Sequence, residues 1–139
     1  MKYCVLLSQF DEPAKVVPCT TDEVLETCYQ LIDCDTVQLV PNYPDRLPKG
    51  YEALCDENTY GKSLFINPLA SWIYGADEHG AGIFGKAVVL KTVRNDEGEE
   101  DLAFMTEDEA KALAEELNKD FENKYDLVIF NTMFAITKD

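Results

Sequence analysis

Two copies of one short pattern, Thr20-x-x-Glu23 and Thr106-x-x-Glu109, constrain this chain more than any other feature. In such a capping box, hydroxyl and carboxylate each satisfy a backbone N–H that the first helical turn leaves without a partner. Apolar residues follow at helical spacing: Val24, Leu25, Cys28, Leu31 and Ile32 after the first box, and Ala110, Leu113, Ala114, Leu117 and Phe121 after the second. Each stripe predicts one amphipathic helix with a single buried face. Asp22, Glu23 and Glu26 crowd the positive end of the first helix, where its dipole favours them. Glu107–Lys111 and Glu115–Lys119 add i,i+4 pairs in the favourable order to the second.

Around these helices the apolar residues run in short blocks, the pattern of strands. They are "KYCVLLSQ" (2–9), "AKVVP" after a turn at "FDEP", "DTVQLV" (35–40), "YEALC" and "SLFI". "IFGKAVVLKTV" (83–93) reads as a long strand, with Gly85 a bulge or close-approach point, and "DLAFM" follows the turn "NDEGEE". "YDLVIFNTMFAIT" is apolar throughout except at Asn131, which predicts a final strand inside the sheet. Asn67-Pro68 supplies an N-cap and an N1 proline for a short helix, "LASWIY", stopped by Gly75; "ADEHGAG" reads as a loop. With 139 residues and no repeat, low-complexity tract or linker, the expectation is one α+β domain over residues 1–139. Its sheet is mixed or antiparallel, with two longer amphipathic helices and one short helix.

"CDENTYGK" (55–62) has the composition of a site: two acids, an amide, an aromatic, a glycine and a lysine. A calcium loop beginning at Asp56 would place Asn58 third and Gly61 sixth, but Tyr60 and Asn67 then occupy positions that need oxygen ligands. A phosphate loop fails too, because Gly61-Lys62-Ser63 lacks the first glycine and two carboxylates would oppose the ligand. The remaining reading is a hairpin turn in which Asp and Asn bond their own backbone and Gly61 takes a positive φ.

"CDENTYGKSLFINPLASWIY", with "IFGKAVVLK" and "FMTEDEAKALAEEL" beyond it, resembles a domain-of-unknown-function family of small proteins. The family is similar in order: an N-terminal hairpin, a helix, a strand, a hairpin with an N-E-x-G-K-like turn, an Asn-capped short helix, a glycine-containing strand and an L-T-x-E-E-A helix. The resemblance covers about residues 1–120. Asp56 stands where the family usually has Asn, and Glu57 and Gly61 are more widely separated here. The resemblance implies a setting in phages, plasmids and conjugative elements of Gram-positive bacteria. It carries over no catalytic or ligand-binding residue.

The charge balance is the widest departure from an ordinary globule: 27 acids against 12 bases, a net −15. Nucleic-acid backbones and acidic membrane surfaces repel such a chain, so the expected partner is a protein, in one form a basic DNA-binding protein. Asp96, Glu97, Glu99, Glu100, Asp101, Glu107, Asp108, Glu115 and Glu116 are the candidate docking carboxylates, with Lys111 the only base among them. Five cysteines without a C-x-x-C pair, no secretory leader and no 18-residue apolar run predict a cytoplasmic protein with reduced, mostly buried thiols. The single histidine, His79, has no nucleophile beside it in sequence, so neither a catalytic constellation nor a cofactor or metal site is expected. The rival reading is a small-ligand or peptide sensor whose pocket is lined by Asn67, Trp72 and Asn131 near the short helix. A homodimer through an unpaired sheet edge is compatible with either.

Overall fold

In the computed structural model the described residues are 2–9, 12–42 and 45–137, with side chains described as far as Ile129. In chain order they form β1 (Tyr3–Leu7), β2 (Lys15–Pro18), α1 (Val24–Ile32), β3 (Val37–Leu39), β4 (Tyr51–Asp56), α2 (Pro68–Tyr74), α3 (Ala76–His79), β5 (Ala87–Arg94), β6 (Glu100–Ala103), α4 (Glu107–Asn118) and α5 (Phe121–Thr137). The fold class is α+β: five helices and an open, fully antiparallel sheet of six strands among the described residues.

β5 is the hub of that sheet. One of its edges pairs with β4, which in turn pairs with β3. Its other edge is shared end to end by two strands: Val5–Leu7 of β1 oppose Ala87–Val89, and β6 opposes Lys91–Arg94. Where the two approach, Tyr3 of β1 bridges to Met105, two residues beyond β6, through Tyr3 N–H to the Met105 carbonyl (2.9 Å) and its reciprocal (2.8 Å). β2 completes the hairpin with β1, so β2 and β3 lie at the two ends of the strand order.

The pleat sends alternate residues to opposite faces. On one face Val5, Leu7, Ala53, Cys55, Ala87 and Val89 pack with Leu69 and Ile73 of α2 and with Ala110, Leu113 and Leu117 of α4. On the other, Cys4, Leu54, Val88 and Leu90 pack with Cys28 and Ile32 of α1. Each Leu, Ile or Val withdrawn from water in this way contributes about 1.5–3 kcal/mol. β5 serves both layers, and Ala87, Val88, Val89 and Leu90 are all fully buried.

Several elements differ from the sequence reading. The final segment is a helix, α5, rather than a strand. A run apolar all round fits either element, and a 17-residue length is ordinary for a helix but long for a strand. It packs against α2 and α3 instead of entering the sheet. "ADEHGAG" holds a one-turn helix, α3, and "SLFI" makes no strand: Ile66 only bridges to Phe84. β4 has both edges occupied by β3 and β5, which leaves 63–66 no place beside it. β5 starts at Ala87 because Gly85, at φ +86, turns the chain there. Any side chain at Gly85 would be strained, and its Cβ would come within 3.2 Å of Leu64.

The two capping boxes also part ways. At Thr106 the box forms as expected, with reciprocal bonds between Thr106 and Glu109. α4 ends at Asn118, so Phe121 opens α5, although it still packs on the same core. At the first site, helix α1 begins only at Val24, and its N-cap Glu23 makes no side-chain bond. The buried Thr27 hydroxyl takes the Thr21 N–H (3.2 Å), and Thr21 Oγ1 takes the Glu23 N–H (3.1 Å). Those bonds draw residues 20–23 across the helix end instead of into its first turn.

Candidate functional site

The stretch 55–62 is a built turn but not a hairpin. Asp56 Oδ1 accepts the Asn58 N–H (2.9 Å), and its other oxygen accepts from Lys62 Nζ (2.5 Å). Gly61 has φ +76, as the turn requires. Asp56 is buried, so Lys62 neutralises a carboxylate that would otherwise be costly there. The turn carries the chain from β4 towards α2.

Asn67, the first residue of the sensor reading, is a strut. Its Nδ2 donates to the Leu7 carbonyl (2.8 Å) and the Gly85 carbonyl (2.9 Å), and its Oδ1 caps α2 by accepting the Ala70 N–H (3.1 Å). It is fully buried, with donors and acceptor committed inside the protein, and does not present itself to a ligand. Trp72 packs at the edge of the same core, with Arg46 at 5.0 Å and Lys124 at 4.3 Å from its ring centroid. Arg46 also bridges to Asp77 and donates to the Trp72 carbonyl (2.8 Å). Asn131 falls within α5, but its side chain lies outside the described residues.

His79 Nε2 meets the Tyr74 carbonyl (2.9 Å) and Nδ1 accepts the Ala81 N–H (3.0 Å), so the ring ties the end of α3 to its flanks. Four of the five thiols gather on the α1 face: Cys4 and Cys28 are fully buried, with Cys19 and Cys34 against them, while Cys55 lies in the core on the other face. Burial pushes the Cys4 thiol up, and pushes Cys28 up to about 12. Both stay protonated and unreactive at neutral pH. All five cysteines are free.

The acidic candidates divide between two elements. Asp96, Glu97 and Glu99 lie in the β5–β6 turn, where Asn95 Oδ1 accepts the N–H groups of Glu97 and Glu99 (both 3.0 Å) and Arg94 donates to the Gly98 carbonyl (2.9 Å). Glu100 and Asp101 follow on β6 and point to opposite faces of the sheet. Glu107 and Asp108 stand at the start of α4, and Glu115 and Glu116 near its end. All nine are exposed. Of these nine, only Glu107 has a described cation within ion-pair range, Lys111 at 3.6 Å. Glu109 bonds to Lys91 (3.0 Å) and to the Thr106 N–H (2.9 Å). These contacts hold its carboxyl below the ordinary value, the backbone bond first among them.

A feature the sequence did not signal is a groove of ≈ 500 Å³ beside α1. Leu25 and Tyr29 of α1 form one wall; Leu39, Leu54, Thr92 and Leu102, from four neighbouring strands, form the floor. Leu25 and Leu39 are 47% and 53% exposed, high values for large apolar side chains. Glu52 lies half-buried in the floor, and Glu100 and Asp101 border it. Desolvation, and then the charge of Glu100, raise the Glu52 carboxyl above its usual value. The groove is assembled from α1, β3, β4, β5 and β6, which is why no contiguous motif marks it.

No family model matches the chain, and no curated protein or solved structure matches it either. Among the described residues no helix is long and apolar enough to cross a membrane.

Proposed function

We propose that this protein is a non-enzymatic interaction protein that docks a basic partner through the carboxylates of the β5–β6 hairpin and α4. One observation carries the reading: nine exposed carboxylates lie on these two elements, and only Glu107 has a described cation beside it. Crowded like charges repel, and an arriving cluster of Lys and Arg relieves that repulsion. The partner in its most concrete form is a DNA-binding protein of the host or of a mobile element, its phosphate sites occupied by carboxylates. The mobile-element setting is the one that the sequence resemblance implies.

The test is pulldown from cell lysate by the full chain and by a variant with Asp96, Glu97, Glu99, Glu100 and Asp101 changed to Asn or Gln. A specific basic partner is expected to be captured at low salt, released as salt shortens the screening length, and displaced by duplex DNA. The neutralised variant is expected to lose it. Capture that ignores salt, DNA and neutralisation overturns the reading.

A further inference from the structure

We propose that the groove beside α1 seats an amphipathic, basic helix of the partner protein; this rests on the acidic docking just described and assigns its anchoring site. The floor crosses β3, β4, β5 and β6, which are neighbours in that order. Three inter-strand steps of about 4.8 Å make a floor about 14 Å long, which matches about ten residues of α-helix. α1 is the one helix that packs on this face of the sheet among the described residues, and it leaves Leu25 and Leu39 in water. A second helix laid beside α1 would cover them.

Charge complementarity selects the chemistry of that helix. The carboxylates on the groove's face are Glu52 and Glu100, and neither has an ion-pair partner among the described residues. Arg94 stands opposite Glu100 in register, yet its guanidinium is turned to the Gly98 carbonyl. An uncharged apolar helix would bury Glu52 and Glu100 without a counter-ion, which opposes its docking. A helix with Leu, Ile or Phe on one stripe and Lys or Arg on its flank fills the floor and meets both carboxylates.

The experiment selects a library of helix-forming peptides against the immobilised full chain. Enriched peptides are then titrated by fluorescence anisotropy against wild type, Leu25→Asp, Leu39→Asp and Glu52→Gln, with Glu122→Gln, on the exposed side of α5, as a distant control. The expected peptides carry apolar and basic residues at helical spacing. They lose at least tenfold in affinity with either Leu→Asp change, several-fold with Glu52→Gln, and nothing with Glu122→Gln. Because each Leu→Asp change adds negative charge, weaker binding of a basic peptide reports lost apolar contact. Both leucines are exposed, so the variants are expected to retain the wild-type circular dichroism spectrum and melting temperature. Peptides that are purely basic and bind all variants equally overturn the groove while leaving the acidic docking intact, as does an absence of enriched peptides alongside salt-sensitive capture from lysate. Loss of that capture as well overturns both.

Discussion

The two faces of the sheet are built from the same strands and covered very differently. On one, α2 and α4 close over Leu7, Cys55 and Val89, and α5 backs α2 and α3. On the other, α1 covers Cys4, Val88 and Leu90 but stops short of Leu39, Glu52 and Thr92. Closure commits polar groups as well as apolar ones: on the closed side Asn67 is satisfied inside the protein, whereas on the sparsely covered side Glu52 is desolvated without a described cation. One face is closed over its core, and the other leaves apolar side chains exposed beside carboxylates.

That contrast breaks most visibly under core truncation. Ile73→Ala, on the closed face, is expected to lower unfolding free energy by about 2–5 kcal/mol. Leu39→Ala, in the groove, is expected to change it by less than about 0.5 kcal/mol. Urea denaturation of both variants decides; equal losses would mean that the groove is part of the core. Asn67→Ala removes the cap of α2 and leaves the Leu7 and Gly85 carbonyls without their donor, with an expected loss of roughly 2–3 kcal/mol by the same assay.

The helix caps sharpen the comparison at smaller amplitude. Thr106→Ala is expected to cost about 1 kcal/mol, because its box forms on α4. Thr20→Ala is expected to cost nearly nothing, although its local sequence pattern is the same. A matching loss at Thr20 in thermal melts would show that the α1 box forms in solution after all. Smallest is Glu52→Gln, expected to stabilise by no more than about 0.5 kcal/mol at neutral pH. The sign follows from linkage. A carboxyl raised in the folded state contributes stability fully present below its unfolded pKa and lost as pH rises through the folded value. The variant's advantage over wild type should therefore disappear as pH falls through that window, and urea midpoints at pH 7 and pH 4 measure it.

Much of the scaffold was legible in the residues, and the failures are specific. Asn67-Pro68 with Gly75, Thr106 with Glu109, and the β1–β2 hairpin each depend on contacts between neighbours in sequence, and each formed. The first capping box failed because Thr21 Oγ1, itself bonded to the Thr27 hydroxyl six residues on, takes the Glu23 N–H that Thr20 would have capped. The last segment was misread because uniform apolarity carries no period, and only packing against α2 and α3 distinguishes buried helix from buried strand.

The sequence by itself determined the α+β class, the principal caps and turns and the excess of carboxylates, because these depend on composition or on residues within a few positions of one another. The groove was decided by tertiary structure alone. Leu25, Leu39, Glu52 and Glu100 come from four separate elements, and only the pairing of β3 through β6 beside α1 brings them to one surface. Strand order and helix placement arise from burial summed over the whole chain, which no local pattern encodes.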